Sequence, residues 1–463
     1  MADAAAWQQI AGLASERCEQ GSQVLLVCSA LAGTTGALLA IEPSTGITDP
    51  VIMRILRQHA ELAKKLGLHC DTLLEEFEGR LERALKACAG HDSPANRAAL
   101  VALGEWASTR IGHQFLSGKM SCEWVDARDA LTVVDEPFPD SGRAWLSARC
   151  ETGADNALNE RWSGLATVLI TQGYVAAKGS AGTALLGRGG SDISAALLAS
   201  RLSATEAEIW TDVPGLFSAD PSFSPEALLI RELDYIEALE MAASGARVVH
   251  PRCIRAAAES GIALNIGDLS RPGCGGTRIN GNKGVLDSPT VGVKAVTCQR
   301  GMLVMLLENL DSRQQVGFLA WAFDVISALG VSIDLVATSE TTTTVAINNV
   351  DNHIDQALLQ TMTDRLSERC RLRLFADSCC VNLVGRGVRT ALAQLGPAAG
   401  LIEEQPLLML SQSANDMCLS FLVYPEHAEA LVDELHRHLV VEGTARRTPG
   451  IYGKSWLELG GQR

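Results

Sequence analysis

Basic charge is in short supply in this chain: 39 Lys and Arg stand against 54 Asp and Glu, a formal net charge of −15 over 463 residues. Nucleic acid and anionic membrane surfaces require a basic face. The chain has neither a basic patch nor a basic stripe interleaved with its few aromatics, 5% of residues, so neither partner is expected. No apolar run approaches the ~18 residues of a membrane span. The N-terminus lacks the charged-then-apolar pattern of a secretory signal, and the expected compartment is the cytoplasm. The 13 cysteines show no CxxC spacing and one adjacent pair, Cys379-Cys380. Reduced thiols packed as small apolar residues are therefore expected, with no metal site. A P-loop is missing as well. Gly182 and Gly187 have its glycine spacing, but Arg188-Gly189 follows where Lys and Ser or Thr are required.

What is present points to a multi-domain α/β protein, since the length exceeds what one hydrophobic core usually serves. Residues 4–18 read as a helix, 23–29 as a buried strand and 49–112 as several amphipathic helices. Residues 167–176, 207–211 and 262–266 are β-rich, with helical stretches between them, which implies a mostly parallel sheet covered on both faces. The segment Leu186-Gly187-Arg188-Gly189-Gly190-Ser191-Asp192 opens the apolar helix of residues 193–202. Glycines let a backbone approach a ligand closely, and a helix N-terminus adds partial positive charge, so anions should bind there. Arg188 can grip a carboxylate with two parallel hydrogen bonds, and Ser191 and Asp192 can cap the helix or meet a polar substrate. Read alone, the same stretch is more simply a Gly-rich loop with an Asp N-cap, and its neighbours reverse that reading.

Downstream, Glu208 to Pro221 contains a buried strand that runs into the turn-rich Thr211-Asp212-Val213-Pro214-Gly215-Leu216-Phe217, and Gly245-Ala246-Arg247-Val248-Val249-His250-Pro251 ends a helix. Taken in order, these three motifs resemble the aspartate kinases of the amino-acid kinase family. The resemblance implies an amino-acid kinase fold and ATP- and Mg²⁺-dependent phosphorylation of L-aspartate to 4-phospho-L-aspartate, the entry step to lysine, threonine and methionine. It places the aspartate on Arg188, Gly189, Gly190 and Ser191, with Thr35 and Glu105 completing the substrate site and Arg188 and Asp192 in catalytic roles. It places the nucleotide near Ser29, Gly33, Thr211, Asp212, Phe217, Arg247 and Val248. Without that resemblance, Glu105 is as readily a solvated helix carboxylate, and Thr35 a helix cap.

The chain departs from the family pattern at Ser222, where Arg is usual, at Phe217, where Tyr is common, and at Arg247, which replaces Lys while keeping the charge. It also begins at Met1 without the family's opening Lys-Phe-Gly-Gly-Thr strand, whose Lys cradles the ATP phosphates. Phosphoryl transfer rests on positioning and charge neutralisation, so weak turnover is expected of a chain lacking that Lys. The alternative reading is a catalytically defective, amino-acid-binding regulatory protein. Segments such as Cys28-Ser29-Ala30-Leu31-Ala32-Gly33 resemble the kinase half of fused aspartate kinase/diaminopimelate decarboxylase proteins.

Residues 1–286 are accordingly expected to form the kinase domain. Beyond them the pattern becomes strand, helix, strand, strand, helix, strand over 302–375. A second such unit, at 379–445, lacks its last strand and takes the early strand 290–297 to complete it, so that the unit within 290–378 is expected to be inserted in the other. Residues 446–463 read as a tail or linker. Paired βαββαβ units resemble the ACT domains that regulate aspartate kinases. That likeness implies a homodimer and an effector, lysine or threonine, held by Asp334, Thr338, Ser339 and Glu340.

Overall fold

The computed structural model describes residues 3–134, 142–179, 182–246, 248–281, 292–309, 316–352, 354–394, 400, 407–443 and 450–461. The chain divides into two compact units, Met1–Pro214 with Val248–Gly281, and Gly215–Arg247 with Asn282–Arg463. The expected kinase boundary near residue 286 lies outside the described residues.

The first unit contains parallel strands. Val24–Cys28 and Cys122–Trp124 flank Val168–Gln172, with Cys28 opposite Gln172. Glu206–Thr211 runs parallel to Ala263–Asp268, which pairs antiparallel with Gly276–Asn280. Val168–Gln172 is buried at every position, as the apolar run Val168 to Ile170 anticipates for a strand covered on both faces, with the polar Thr171 and Gln172 buried at its carboxyl end.

Helices supply that cover, and their ends are written in the sequence. Asp49 and Ser93 accept backbone N–H bonds at 2.7 and 3.2 Å, and Pro50 and Pro94 follow them. In helix Asp71–Gly90, Leu73, Phe77, Leu81, Leu85 and Cys88 are buried at helical spacing. Gly112 lets helices Ala4–Glu19 and Leu103–Ser117 approach closely: a Cβ there would stand 1.9 Å from Trp7 Cη2.

The second unit is built on a six-stranded antiparallel sheet in the spatial order 335–338, 342–348, 292–309, 370–386, 418–423 and 409–412. Gly292–Asn309 and Cys370–Arg386 are long enough to serve two βαββαβ motifs each. Met302 to Glu308 pairs with Asn348 to Thr342, whereas Val293 to Gln299 pairs with Gly385 to Cys380. The early strand therefore lies beside the 380–386 segment. Its residues 290 and 291 are outside the described part.

Two strands expected to be separate, ending at Phe375 and starting at Cys380, are thus one. The passage between the halves is marked by register shifts around Gln299 and Met302, by Gly301 at φ 75° and by Asp377 at φ 56°. The second strand of the expected 302–375 unit forms at Leu335–Thr338.

Residues 215–246 belong to this second unit although their sequence order puts them in the kinase domain. Val296 N–H donates to Ser218 O at 2.7 Å, and Thr297 Oγ1 donates to Ser244 O at 2.8 Å. The Lys294 ammonium meets Glu237 Oε2 at 2.6 Å with both side chains buried. The expected tail also packs here. Tyr452–Ser455 pairs with Leu228–Ile230, and Trp456 stands edge-on to Phe217 with ring centroids 5.5 Å apart.

Candidate active site

Three loops meet at the carboxyl ends of the parallel strands in the first unit, where ligands bind in open α/β sheets. Strand Val24–Cys28 leads to Ser29, and strand Val168–Gln172 leads to Gly173, whose N–H donates to Cys28 O at 2.8 Å. The third loop, 187–189, opens helix Gly190–Arg201. Ser29 Oγ donates to Ser191 Oγ at 2.8 Å, which ties the first loop to the third. Gly173 is necessary for that approach, because a Cβ there would lie 2.7 Å from Ser191 Oγ.

The glycine loop takes a conformation that L side chains disfavour. Gly187 has φ 76° and Gly189 has φ 67°, both left-handed. A Cβ on Gly190 would meet the Tyr174 ring at 2.1 Å, and one on Gly189 would meet His250 Cβ at 2.5 Å. Helix Gly190–Arg201 thus starts on residues without side chains of their own, its first residues packed against Tyr174 and His250, and a helix N-terminus favours an anion. Arg188 is exposed beside it. Asp192 lies in the first turn, and burial pushes its carboxyl up to about 6.

Glu105 faces this loop cluster from helix Leu103–Ser117. Its side chain is 2% exposed. Oε1 accepts the Thr35 hydroxyl at 3.1 Å, and Oε2 is buried without a hydrogen-bond partner. Burial pushes the carboxyl up to about 7, partly offset by bonds from its own amide, Thr35 and the Ala30 amide. The position is held from below: Ser108 Oγ donates to Ser29 O at 2.7 Å, and Gly104 lets Thr34 and Ala30 press against the helix. Gly33, at φ 79°, caps the short helix Thr34–Leu39 that carries Thr35. A buried carboxylate oxygen with no donor is costly unless a cation arrives, so this geometry suits an ammonium group.

Nearby strands place the other expected residues. Thr211 ends strand Glu206–Thr211, and its hydroxyl donates to Asp212 Oδ1 at 3.0 Å. Opposite Thr211, the buried Asp268 holds Arg271 Nε at 2.8 Å. Val248 is half-buried, and Arg247 lies outside the described residues. Phe217 belongs to the second unit, where it is buried in the core with its ring packed on Trp456.

Sequence reasoning missed Tyr174 and Arg252. Tyr174 has φ 70°, its ring covers Gly190, and burial with the Glu105 charge pushes its hydroxyl up to about 12. The Gly173-Tyr174 pair closing an apolar strand was the available signal. Arg252 donates to Leu186 O and Ala148 O at 2.7 and 2.5 Å, contacts that nothing in the local sequence announces.

The expected effector residues lie in the second unit and are spread out. Asp334 Oδ2 accepts the Asn348 N–H at 2.6 Å, whereas Ser339 closes the hairpin by donating its N–H to Thr342 O at 2.8 Å. Thr338 pairs with Thr343, and Glu340 is exposed at the tip. Asp334 precedes strand Leu335–Thr338 and Glu340 follows it.

The comparisons with known proteins agree with this geometry. The amino acid kinase family matches residues 1–268. The chain is 32% identical to the lysine-sensitive aspartokinase 3 of Escherichia coli (strain K12) over 427 residues, covering 90% of this chain and 92% of that protein. The crystal structure of E. coli aspartokinase III in complex with aspartate and ADP superposes with a TM-score of 0.76 at 28% identity, covering 95% of this chain and 97% of the other. The structure of the same enzyme with lysine and aspartate gives a TM-score of 0.72 at 28% identity and the same coverage. With the loop cluster and the buried carboxylate in place, these likenesses make the chain a member of the amino acid kinase family, in its aspartokinase branch.

Proposed function

We propose that the chain transfers the γ-phosphoryl group of ATP to the β-carboxylate of L-aspartate, under control of an amino acid bound to the paired βαββαβ units. One observation carries the substrate assignment: the buried Glu105 carboxylate, with Oε2 unpartnered and Thr35 on its other oxygen, lies at the loop cluster that opens helix Gly190–Arg201. An α-amino acid with a second carboxylate has the matching charges. Its ammonium pairs with Glu105 and favours the ionised form, while Arg188 and the amides of Gly189, Gly190 and Ser191 hold carboxylate oxygens.

Holding both ends leaves the β-carboxylate to attack the γ-phosphorus in line, forming the acyl phosphate as the bond to the β,γ-bridging oxygen breaks and ADP leaves, and catalysis of such a transfer is mostly positioning and charge stabilisation. Thr211 and Asp212, at the end of the next parallel strand, form the nucleotide side. Mg²⁺ would enter with the nucleotide phosphates, neutralising charge that develops in the transfer. Asp192 at the helix start orients the loop or the Mg²⁺-bound nucleotide. Lysine or threonine is the expected effector, and a homodimer the expected assembly.

The test is trapping of the acyl phosphate with hydroxylamine. Hydroxamate should form only with both aspartate and ATP. Arg188→Ala should weaken aspartate binding by about 2 to 4 kcal/mol, and Arg188→Lys should restore part of it, since an ammonium lacks the planar fork. No hydroxamate together with no aspartate binding by calorimetry would reject the reading.

A further inference from the structure

The first peptide of the glycine loop is held from outside the loop. Leu186 ends the approach to Gly187, and its carbonyl belongs to the peptide unit that leads into the left-handed Gly187. Arg252 Nη1 donates to that carbonyl at 2.7 Å, and Nη2 donates to Ala148 O at 2.5 Å. The second acceptor is on a neighbouring stretch already laid along the first. Ala148 N–H donates to Leu185 O at 2.8 Å, and Ser147 bridges antiparallel to Leu186. Gly187 fits there only because it lacks a side chain, a Cβ being 2.4 Å from Ser147 Oγ. One guanidinium therefore spans both strands of the bridge where the backbone turns into the loop.

The same helix holds the other end. Arg252 lies in the first turn of helix Pro251–Ser260, whose cap His250 accepts the Arg252 N–H at 3.1 Å and presses against Gly189. Leu186 and Gly189, on either side of Arg188, are thus both positioned by one helix end. A planar fork suits two carbonyls at a fixed separation, whereas an ammonium can serve one well.

We infer that Arg252 is a positioning residue for the kinase reaction: it fixes the Leu186–Gly187 peptide and thereby the aim of Arg188 and the loop amides at the substrate carboxylate. The inference rests on the proposed aspartate site. It is tested on the full chain with Arg252→Met and Arg252→Lys. The Met variant should raise KM for aspartate by about tenfold or more. KM for ATP should be unchanged, and amide hydrogen exchange at residues 187–190 should accelerate. The Lys variant should fall between Met and wild type in both readouts. Unchanged aspartate KM and unchanged exchange in Arg252→Met would overturn the assignment, as would equal losses toward aspartate and ATP. If the Met variant fails to fold, a Lys variant indistinguishable from wild type in KM and exchange would overturn it too. Absence of kinase turnover in the wild type would instead count against the proposed function, while the exchange measurement still reads the positioning.

Discussion

Glu105 sets function against stability at a single residue. Its carboxyl is raised from the ordinary value of 4.5 to about 7. Between those values the folded state binds more protons than the unfolded state, so its contribution to stability is full below about 4.5 and declines as pH rises through 7. The cost at pH 8 is of order 3 kcal/mol in the ligand-free protein. Glu105→Gln keeps the shape and an acceptor for Thr35 but removes the charge. Thermal melts should show the variant more stable than wild type at pH 8 and equal to it near pH 4, while calorimetry should show aspartate binding lost. A wild-type-minus-variant difference that does not change with pH would contradict the assigned burial.

At the scale of elements, helix Tyr235–Ala243 is tied to the long strand Gly292–Asn309 by the buried Lys294–Glu237 pair. Arg386 adds to it, with Nε 3.6 Å from Glu237 Oε1 and a hydrogen bond to the helix cap Asp234. Removing one member of a buried pair strands the other, whereas replacing both by apolar residues removes the desolvation cost as well. Lys294→Met should therefore cost about 3 to 5 kcal/mol in urea unfolding. Lys294→Met combined with Glu237→Leu should recover most of that loss. Simple additivity of the two single changes would mean the pair is not coupled.

For the whole molecule, regulation implies that an amino acid binding the second unit adds to its stability. At about 100 times its dissociation constant, lysine or threonine should add roughly 2.7 kcal/mol. Asp334 tethers the Asn348 amide, so Asp334→Ala will lower the melting temperature by itself. The informative quantity is the ligand-induced shift, which should vanish in that variant. No shift with either amino acid at millimolar concentration in the wild type would leave the effector assignment without support.

Much of this protein is legible in its sequence. The left-handed glycines, the helix starts at Asp49-Pro50 and Ser93-Pro94 and the β-rich strand at 168–172 depend on local backbone chemistry and on periodicity, both carried by neighbouring residues. The substrate loop and Glu105 were likewise visible as motifs. Other features depend on residues far apart in the chain. Whether Glu105 is a solvated carboxylate or a buried one poised near neutrality was decided by Ala30, Thr34 and Thr35 closing over it. That residues 215–246 belong with the second sheet was decided by Lys294, Val296 and Thr297, and that Phe217 is core was decided by Trp456, more than 200 positions away. Arg252 acquires its role only because folding brings Ala148 and Leu186 side by side. Short-range pattern specifies elements and loops, but protonation, packing partners and the aim of a binding loop are properties of what the fold brings into contact.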